Sequence, residues 1–230
     1  MALYTDGTYL QHNPTWHSED SPWKVSQILK MIRRHELEPH TVCEVGCGAG
    51  GILAGLARVM PASTSFYGYE ISEAAFQLCL EQQASNLHFY LADLLQAENP
   101  PFDLLLAIDV IEHVEDVFGF LRRLRSKAGL KLFHIPLDFT LINLLRPHIL
   151  AEMRQSIGHI HYFTKDTALA ILAETGYQVI DWFYTPWAFE LASTTRKMAQ
   201  LNAPRRLLFH LHPDLAVRML GGFSIMVLAT

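Results

Sequence analysis

The sequence predicts an α/β fold with a doubly wound, mainly parallel sheet, and three observations carry that expectation. An apolar stretch, Thr41 to Val45, runs into the turn Gly46-Cys47-Gly48-Ala49-Gly50 and then into an apolar helical period. Strand-like and helix-like segments alternate after it, the pattern of a parallel sheet with crossover helices. Each of the first four strand-like segments also delivers an acid at or near its carboxyl end: Glu44, Glu70, Asp93 and Asp109. Open α/β sheets bind ligands beyond the carboxyl ends of their strands, so the four acids share one functional edge. A length of 230 residues suits one such domain with a modest cap.

The elements follow in order. Ser21-Pro22 reads as an N-cap and first helical residue, with Val25, Ile28, Leu29 and Ile32 repeating on one face. After the glycine turn, Ile52, Leu53, Leu56, Val59 and Met60 recur at helical spacing until Pro61. A second strand, Ser65 to Glu70, ends at the helix-start pair Ile71-Ser72, and a helix is expected over Glu73 to Ala84. Leu87 to Asp93 and Phe102 to Asp109 are the third and fourth strands. Leu130 to Ile135 is the fifth, ended by Pro136, which cannot donate to a continuing ladder. An apolar, helix-like insertion occupies Leu137 to Gly158, and Tyr177 to Tyr184 makes the sixth strand. Short helices broken at Pro204 and Pro213 lead to Phe223 to Ala229, too continuously apolar for an exposed edge. In that last strand Ile225 and Val227 are expected on one buried face and Met226 and Leu228 on the other.

The glycine turn reads as a nucleotide-cofactor loop. Glycine takes positive φ, and the absent Cβ lets backbone N–H groups approach a ligand. Gly46, Gly48 and Gly51 satisfy the dinucleotide pattern G-x-G-x-x-G, while Glu44, Gly46, Gly48 and Gly50 give E-x-G-x-G-x-G. Glu70 stands where a carboxylate accepts hydrogen bonds from both ribose hydroxyls. Taken with Asp93, Asp109 and the segment Asp109-Val110-Ile111-Glu112-His113-Val114, the second pattern resembles the class I S-adenosylmethionine-dependent methyltransferases, in their small-molecule branch.

That resemblance extends from Thr41 to Ile135, and more weakly over Gly158 to Tyr184. It implies a Rossmann-like sheet of order 3-2-1-4-5-7-6, with strand seven antiparallel, plus a small helical cap. It implies S-adenosyl-L-methionine as cofactor, held by Glu44, Gly46, Cys47, Gly48, Gly50 and Val110, with Glu70 on the ribose. Asp93 would face the adenine amino group, the Leu94 backbone N–H the ring, Ile71 the adenine face, and Asp109 the methionine end. One methyltransferase-like domain then spans residues 1–230, with the arm 1–20 and the insertions 137–162 and 185–220 forming the cap. The arm would fold over the cofactor. Two other readings stay open at this point: an NAD-dependent oxidoreductase using Gly46, Gly48, Gly51 and Glu70, and a non-catalytic S-adenosylmethionine-binding protein.

Composition narrows the setting. Half of the residues are apolar, and the net charge of −5 argues against a nucleic-acid footprint. No apolar run reaches the ~18 residues of a membrane span, and residues 1–6 lack the character of a signal peptide, so a cytoplasmic location is expected. Cys43, Cys47 and Cys79 lack a second ligand pair and read as small apolar residues. Arg122, Arg123, Arg125 and Lys127 complement a helix C-terminus. Oligomeric state is left open.

The expected reaction is an in-line displacement at the sulfonium methyl, in which positioning supplies much of the rate. A base is needed where the acceptor must lose a proton. Of the twelve histidines, His113, His134 and His159 fall near the predicted pocket and are the candidate bases. Tyr9, Trp16 and Tyr162 are the candidate substrate contacts for a small-molecule acceptor. No metal is expected, because the histidines show neither H-x-x-x-H helix spacing nor an accompanying set of carboxylates.

Overall fold

The structure is a computed structural model that describes residues 16, 18–82, 84–191 and 196–230. Its centre is a seven-stranded sheet of order β3-β2-β1-β4-β5-β7-β6. The strands are β1 (Thr41–Val45), β2 (Ser65–Glu70), β3 (Leu87–Leu91), β4 (Phe102–Ile108), β5 (Ala128–Pro136), β6 (Val179–Thr185) and β7 (Ser224–Ala229). The first five pair in parallel, while β7 runs antiparallel to both β5 and β6. The order and the orientation are those the resemblance implied.

Period-two alternation sorts the strand residues into two cores, one on each side of the sheet. Cys43, Leu105, Phe133, Ile225 and Val227 belong to one, and Val42, Leu104, Leu132, Met226 and Leu228 to the other. Every residue of β7 is buried, so the final strand packs on both faces as expected.

Helices cover the two faces. Before β1 lies α1 (Ser21–Arg34), and after it α2 (Gly51–Ala57). These two pack closely: a Cβ on Gly55 would lie 2.8 Å from Val25 Cγ2. Next come α3 (Glu73–Cys79), capped by the Ser72 side chain on the Ala75 N–H, and α4 (Val117–Leu124), capped by Asp116 on the Gly119 N–H. The insertion after β5 folds as α5 (Leu141–Leu144) and α6 (Pro147–Ser156), and α7 (Lys165–Glu174) precedes β6. Between β6 and β7 stand α8 (Trp187–Glu190), α9 (Arg196–Leu211) and α10 (Pro213–Met219).

Several boundaries differ from the sequence reading. The N-cap of α1 is Asp20, without a side-chain cap bond, and Ser21 is already helical. Helix α3 stops at Cys79, well short of Ala84, and β3 stops at Leu91. Pro136 lies inside β5, paired with Ser224. The His134 carbonyl accepts from the Asp109 N–H on the β4 side, so Pro136 also turns its backbone that way. Since β4 has ended at Ile108, the missing N–H removes nothing from the ladder. Pro204 is carried within α9 rather than breaking it, while Pro213 begins α10.

Candidate active site

The glycine loop closes β1 onto β2. The Gly46 and Cys47 N–H groups both reach the Tyr69 carbonyl, at 2.8 and 3.2 Å. Gly46, Gly48 and Gly50 have φ of +66°, +54° and +75°, whereas Gly51 is not among the positive-φ glycines. A Cβ on Gly50 would fall 2.5 Å from Phe89 Cζ, and one on Gly48 2.8 Å from Trp16 Cδ1. Only glycine fits such a loop. The left-handed set is the alternating one of E-x-G-x-G-x-G, not the G-x-G-x-x-G set.

Glu70, at the end of β2, ties this loop to the next helix. Its Oε2 accepts from the Gly48 N–H at 2.9 Å, and its Oε1 from the Ile71 and Ser72 N–H groups, each at 2.8 Å. Burial pushes the Glu70 carboxyl up, and these three bonds pull against that rise. Each carboxylate oxygen has further lone pairs to offer a ribose hydroxyl.

A cavity of about 480 Å³ opens in front of the loop, within the range of small-ligand sites. Glu44, Gly46, Cys47, Gly48, Glu70, Ile71, Asp109 and Val110 line it, as do Trp16, His113, His134 and His159. Met153 and Ile157 reach it from the first insertion, and Trp187 and Leu191 from the second. Asp93 and Leu94 stand outside that lining: Asp93 Oδ1 accepts from the Leu95 N–H at 2.9 Å, and the Leu94 side chain is fully buried. Gly50 is also behind the lining, as the N-cap of α2. Tyr162 faces the insertion instead, donating its hydroxyl to the Leu150 carbonyl at 2.7 Å. Tyr9 lies outside the described residues.

The floor of the cavity is an ionic cluster. Asp109 has φ +53° and receives Lys24 Nζ on Oδ2 at 2.7 Å and His134 Nδ1 on Oδ1 at 2.6 Å. Burial would raise the Asp109 carboxyl, but the His134 and Lys24 charges hold it well below the usual carboxylate range. Burial alone would lower Lys24, yet the pair with Asp109 leaves it raised above 10.5. His134 Nε2 takes the Thr185 hydroxyl at 2.8 Å. Both ring nitrogens of His134 are thus engaged inside the protein, a geometry suited to fixing Asp109 rather than to collecting a proton from a ligand. Beside this cluster, burial drives Glu44 well above 4.5 despite the attraction of Lys24.

The far wall is built from the turn Ile111–His113 after β4 and the segment 158–161. Both the Ile160 and His161 N–H groups donate to the Glu112 carbonyl, at 2.9 and 3.1 Å. His161 Nε2 meets the Val114 carbonyl at 2.8 Å and His113 Nδ1 the Gly158 carbonyl at 3.0 Å. This stitching brings His159 against His113, ring centroids 4.9 Å apart. His159 Nδ1 contacts Asp138 Oδ2 at 2.7 Å. Glu112 is completely buried, and burial, then the nearby Asp109 charge, raises its carboxyl far above 4.5.

The sheet order and the loop geometry together specify one kind of domain, and a family model for the methyltransferase domain matches residues 20–181. The chain belongs to that family, the class I S-adenosylmethionine-dependent methyltransferases. Among curated proteins, the ubiquinone biosynthesis O-methyltransferase of Alkalilimnicola ehrlichii is 28% identical over 86 residues, a match that takes in 35% of this chain and 34% of that protein. The chain therefore matches about a third of that relative's length. In overall fold it is similar to the magnesium protoporphyrin IX methyltransferase of Synechocystis with bound S-adenosylhomocysteine, at TM-score 0.60 and 16% identity, covering 90% of this chain and 82% of that one. A putative methyltransferase of Bacillus halodurans aligns at TM-score 0.60 and 14% identity, over 89% of this chain and 98% of that one. S-adenosylmethionine is the cofactor of this family, and no helix among the described residues is long and apolar enough to cross a membrane.

Lys24, Glu112 and Asp138 were not singled out as site residues by the sequence. Lys24 sits in an ordinary amphipathic helix, and only the fold brings it to Asp109. Glu112 had a local signal, an acid between Ile111 and His113 in a segment otherwise headed for the core.

Proposed function

We propose that the protein transfers the methyl group of S-adenosylmethionine to an oxygen or nitrogen of a small molecule, and that an oxygen acceptor fits best. The observation that carries this reading is the continuity of the cavity from the left-handed glycine loop and Glu70, past Asp109, to the His113–His159 corner. In this assignment Gly46, Cys47 and Gly48 cradle the methionine and ribose portions, with Gly50 setting the turn from behind and Glu44 on the cavity wall. Glu70 takes the ribose hydroxyls and Ile71 the adenine face, while Asp93 and the Leu94 backbone N–H, just beyond the cavity lining, are assigned to the adenine edge. Asp109 and Val110 face the methionine end.

The acceptor approaches from the side of the two insertions, under Trp16, Met153, Ile157 and Trp187; the rest of the expected arm, residues 1–15 and 17, lies outside the described residues. Methyl transfer is an in-line displacement, so the walls act by aligning acceptor, methyl and sulfur and by excluding water. A hydroxyl acceptor must lose its proton, and that task falls to the His113–His159 corner, since His134 is committed to Asp109 and Thr185. The relative from Alkalilimnicola ehrlichii is named for O-methylation, which supports oxygen over nitrogen.

The test is mass spectrometry of the purified protein for co-retained S-adenosylmethionine or S-adenosylhomocysteine, then turnover against hydroxylated and amino metabolites. Transfer confined to amines would overturn the oxygen assignment. Tight NAD binding with no affinity for S-adenosylhomocysteine would overturn the whole reading.

A further inference from the structure

The far wall of the cavity holds an arrangement that methyl transfer by positioning does not require. Glu112 is fully buried, and neither carboxylate oxygen finds a hydrogen-bond partner among the described residues. Leaving a carboxylate in that condition costs far more than leaving a neutral polar atom. Facing Oε1 are His113 Nε2 at 3.8 Å and His159 Nε2 at 3.9 Å, too far for hydrogen bonds.

The opposite ring nitrogens fix what the near ones present. His159 Nδ1 donates to the Asp138 carboxylate at 2.7 Å, and His113 Nδ1 donates to the Gly158 carbonyl at 3.0 Å. In the neutral rings both lone pairs then sit on Nε2, turned towards Glu112. With Glu112 ionised, as a bound cation would hold it, one carboxylate oxygen and two imidazole nitrogens, all acceptors, lie within 4.8 Å of one another. The orphaned atoms are those of Glu112, and a cation set between the three residues would satisfy its carboxylate while taking up the imidazole lone pairs. The Asp138–His159 contact is moreover the carboxylate–histidine pairing that orients a metal-bound imidazole.

We propose that Glu112, His113 and His159 bind a divalent transition-metal ion at the wall of the cavity. Two imidazoles and one carboxylate suit zinc, manganese, iron(II) or cobalt better than magnesium or calcium, which prefer all-oxygen shells. Metal–ligand distances near 2.1 Å need the three atoms about 3.0–3.5 Å apart, so the two Glu112–histidine separations close by roughly half an ångström on loading. All three residues also line the cavity, which leaves coordination positions open towards the acceptor.

The metal site stands on these residues alone, but its role rests on the methyltransferase reading. A hydroxyl oxygen of the acceptor would coordinate the ion, which lowers its pKa so that the proton passes to solvent. The oxygen lone pair then forms the bond to the methyl carbon, and the breaking S–C bond leaves its electron pair on sulfur as S-adenosylhomocysteine. His113 and His159 would thus serve deprotonation through the ion. The proposed site departs from the sequence expectation of no metal, which rests on helix spacing and a carboxylate set and not on segments that the fold brings together.

Tag-free protein, stripped with chelator, should be titrated with cobalt(II), zinc and manganese by visible absorption and calorimetry. We expect one saturable site per chain, with cobalt d–d bands of nitrogen and oxygen coordination. Glu112→Gln and His159→Ala should abolish it, and Asp138→Asn should weaken it 10- to 100-fold. Calorimetry with S-adenosylhomocysteine and the far-ultraviolet spectrum serve as controls for folding. Absence of saturable binding in a protein that still binds S-adenosylhomocysteine would overturn the metal site and leave the methyltransferase reading intact. Equal cobalt affinity in folded Glu112→Gln and His159→Ala would overturn it as well. Loss of S-adenosylhomocysteine binding in the unaltered protein strikes the functional reading instead.

Discussion

Lys24 and Asp109 form an ion pair 2.7 Å long that fastens α1 to the carboxyl end of β4. The pair joins an element that precedes the sheet to the residue that opens the cavity. Asp109 is held on its other oxygen by His134, which is held in turn by Thr185 at the end of β6. Three strands and a helix thus meet at one carboxylate in left-handed backbone, a conformation that costs energy for a residue with a Cβ.

Substitution of Lys24 exposes that coupling. Lys24→Met should leave Asp109 charged, partly buried and short of one partner, destabilising the fold by about 1–3 kcal/mol, the lower side of a broken buried pair because a quarter of the Asp109 side chain remains exposed. Adding Asp109→Asn should recover part of the loss. Denaturant unfolding of the two single variants and the double variant measures the coupling, and strict additivity would show that the pair carries none.

Glu70 has a comparable role at the adjoining edge. Its three backbone bonds tie the glycine loop to the Ile71–Ser72 turn at the cavity edge where the proposed function puts the ribose. Charged hydrogen bonds are worth about 1.5–3 kcal/mol each, so Glu70→Ala should weaken S-adenosylhomocysteine binding at least tenfold. Calorimetry measures this directly. An unchanged affinity would remove Glu70 from the cofactor site.

Glu44 makes stability depend on pH in the less common direction. Its folded-state pKa lies well above the usual 4.5 because burial disfavours the charge. Ionisation is therefore easier in the unfolded chain, and stability is lost as pH rises from 4.5 towards the folded-state value. Within that window each such group takes away up to about 1.4 kcal/mol per pH unit. Cofactor-free protein carrying Glu44→Gln should melt higher than the unaltered protein at pH 8, and the difference should shrink towards pH 5. A constant difference across that range would show that Glu44 is not the titrating group.

Most of the sheet was legible because its signals are local. The turn at Gly46 to Gly50, the acids at strand ends and the uninterrupted apolar run of β7 each follow from a few adjacent residues. Boundaries that depend on neighbours were not legible. Pro136 stays in β5 only because β4 has already ended, and the α1 cap moved to Asp20 because Ser18–Asp20 coil into a short helical turn ahead of it. The site divides the same way. The glycine loop is one contiguous motif, whereas the Glu112–His113–His159 corner depends on backbone bonds between 112–114 and 158–161, which nothing in either segment announces.

That division of labour among the histidines gives the last prediction. A base must be unprotonated to act, so the rate should fall as pH drops through the pKa of the group that takes the acceptor's proton, giving the profile an acidic limb. If the proton leaves through the His113–His159 corner, whether to an imidazole or from a metal-held oxygen, His159→Ala should lower turnover by roughly 10²–10⁴-fold and abolish or displace that limb. His134 has its two nitrogens on Asp109 and Thr185, so His134→Gln should act through the position of Asp109, weakening cofactor affinity while the limb stays in place. Thr185→Val, which removes only the far hydrogen bond, should repeat the His134→Gln behaviour in milder form. Profiles of kcat and kcat/KM for the three variants separate the roles. An acidic limb that vanishes with His134 and survives the loss of His159 would reverse the assignment and place the proton acceptor on the Asp109 side of the cavity.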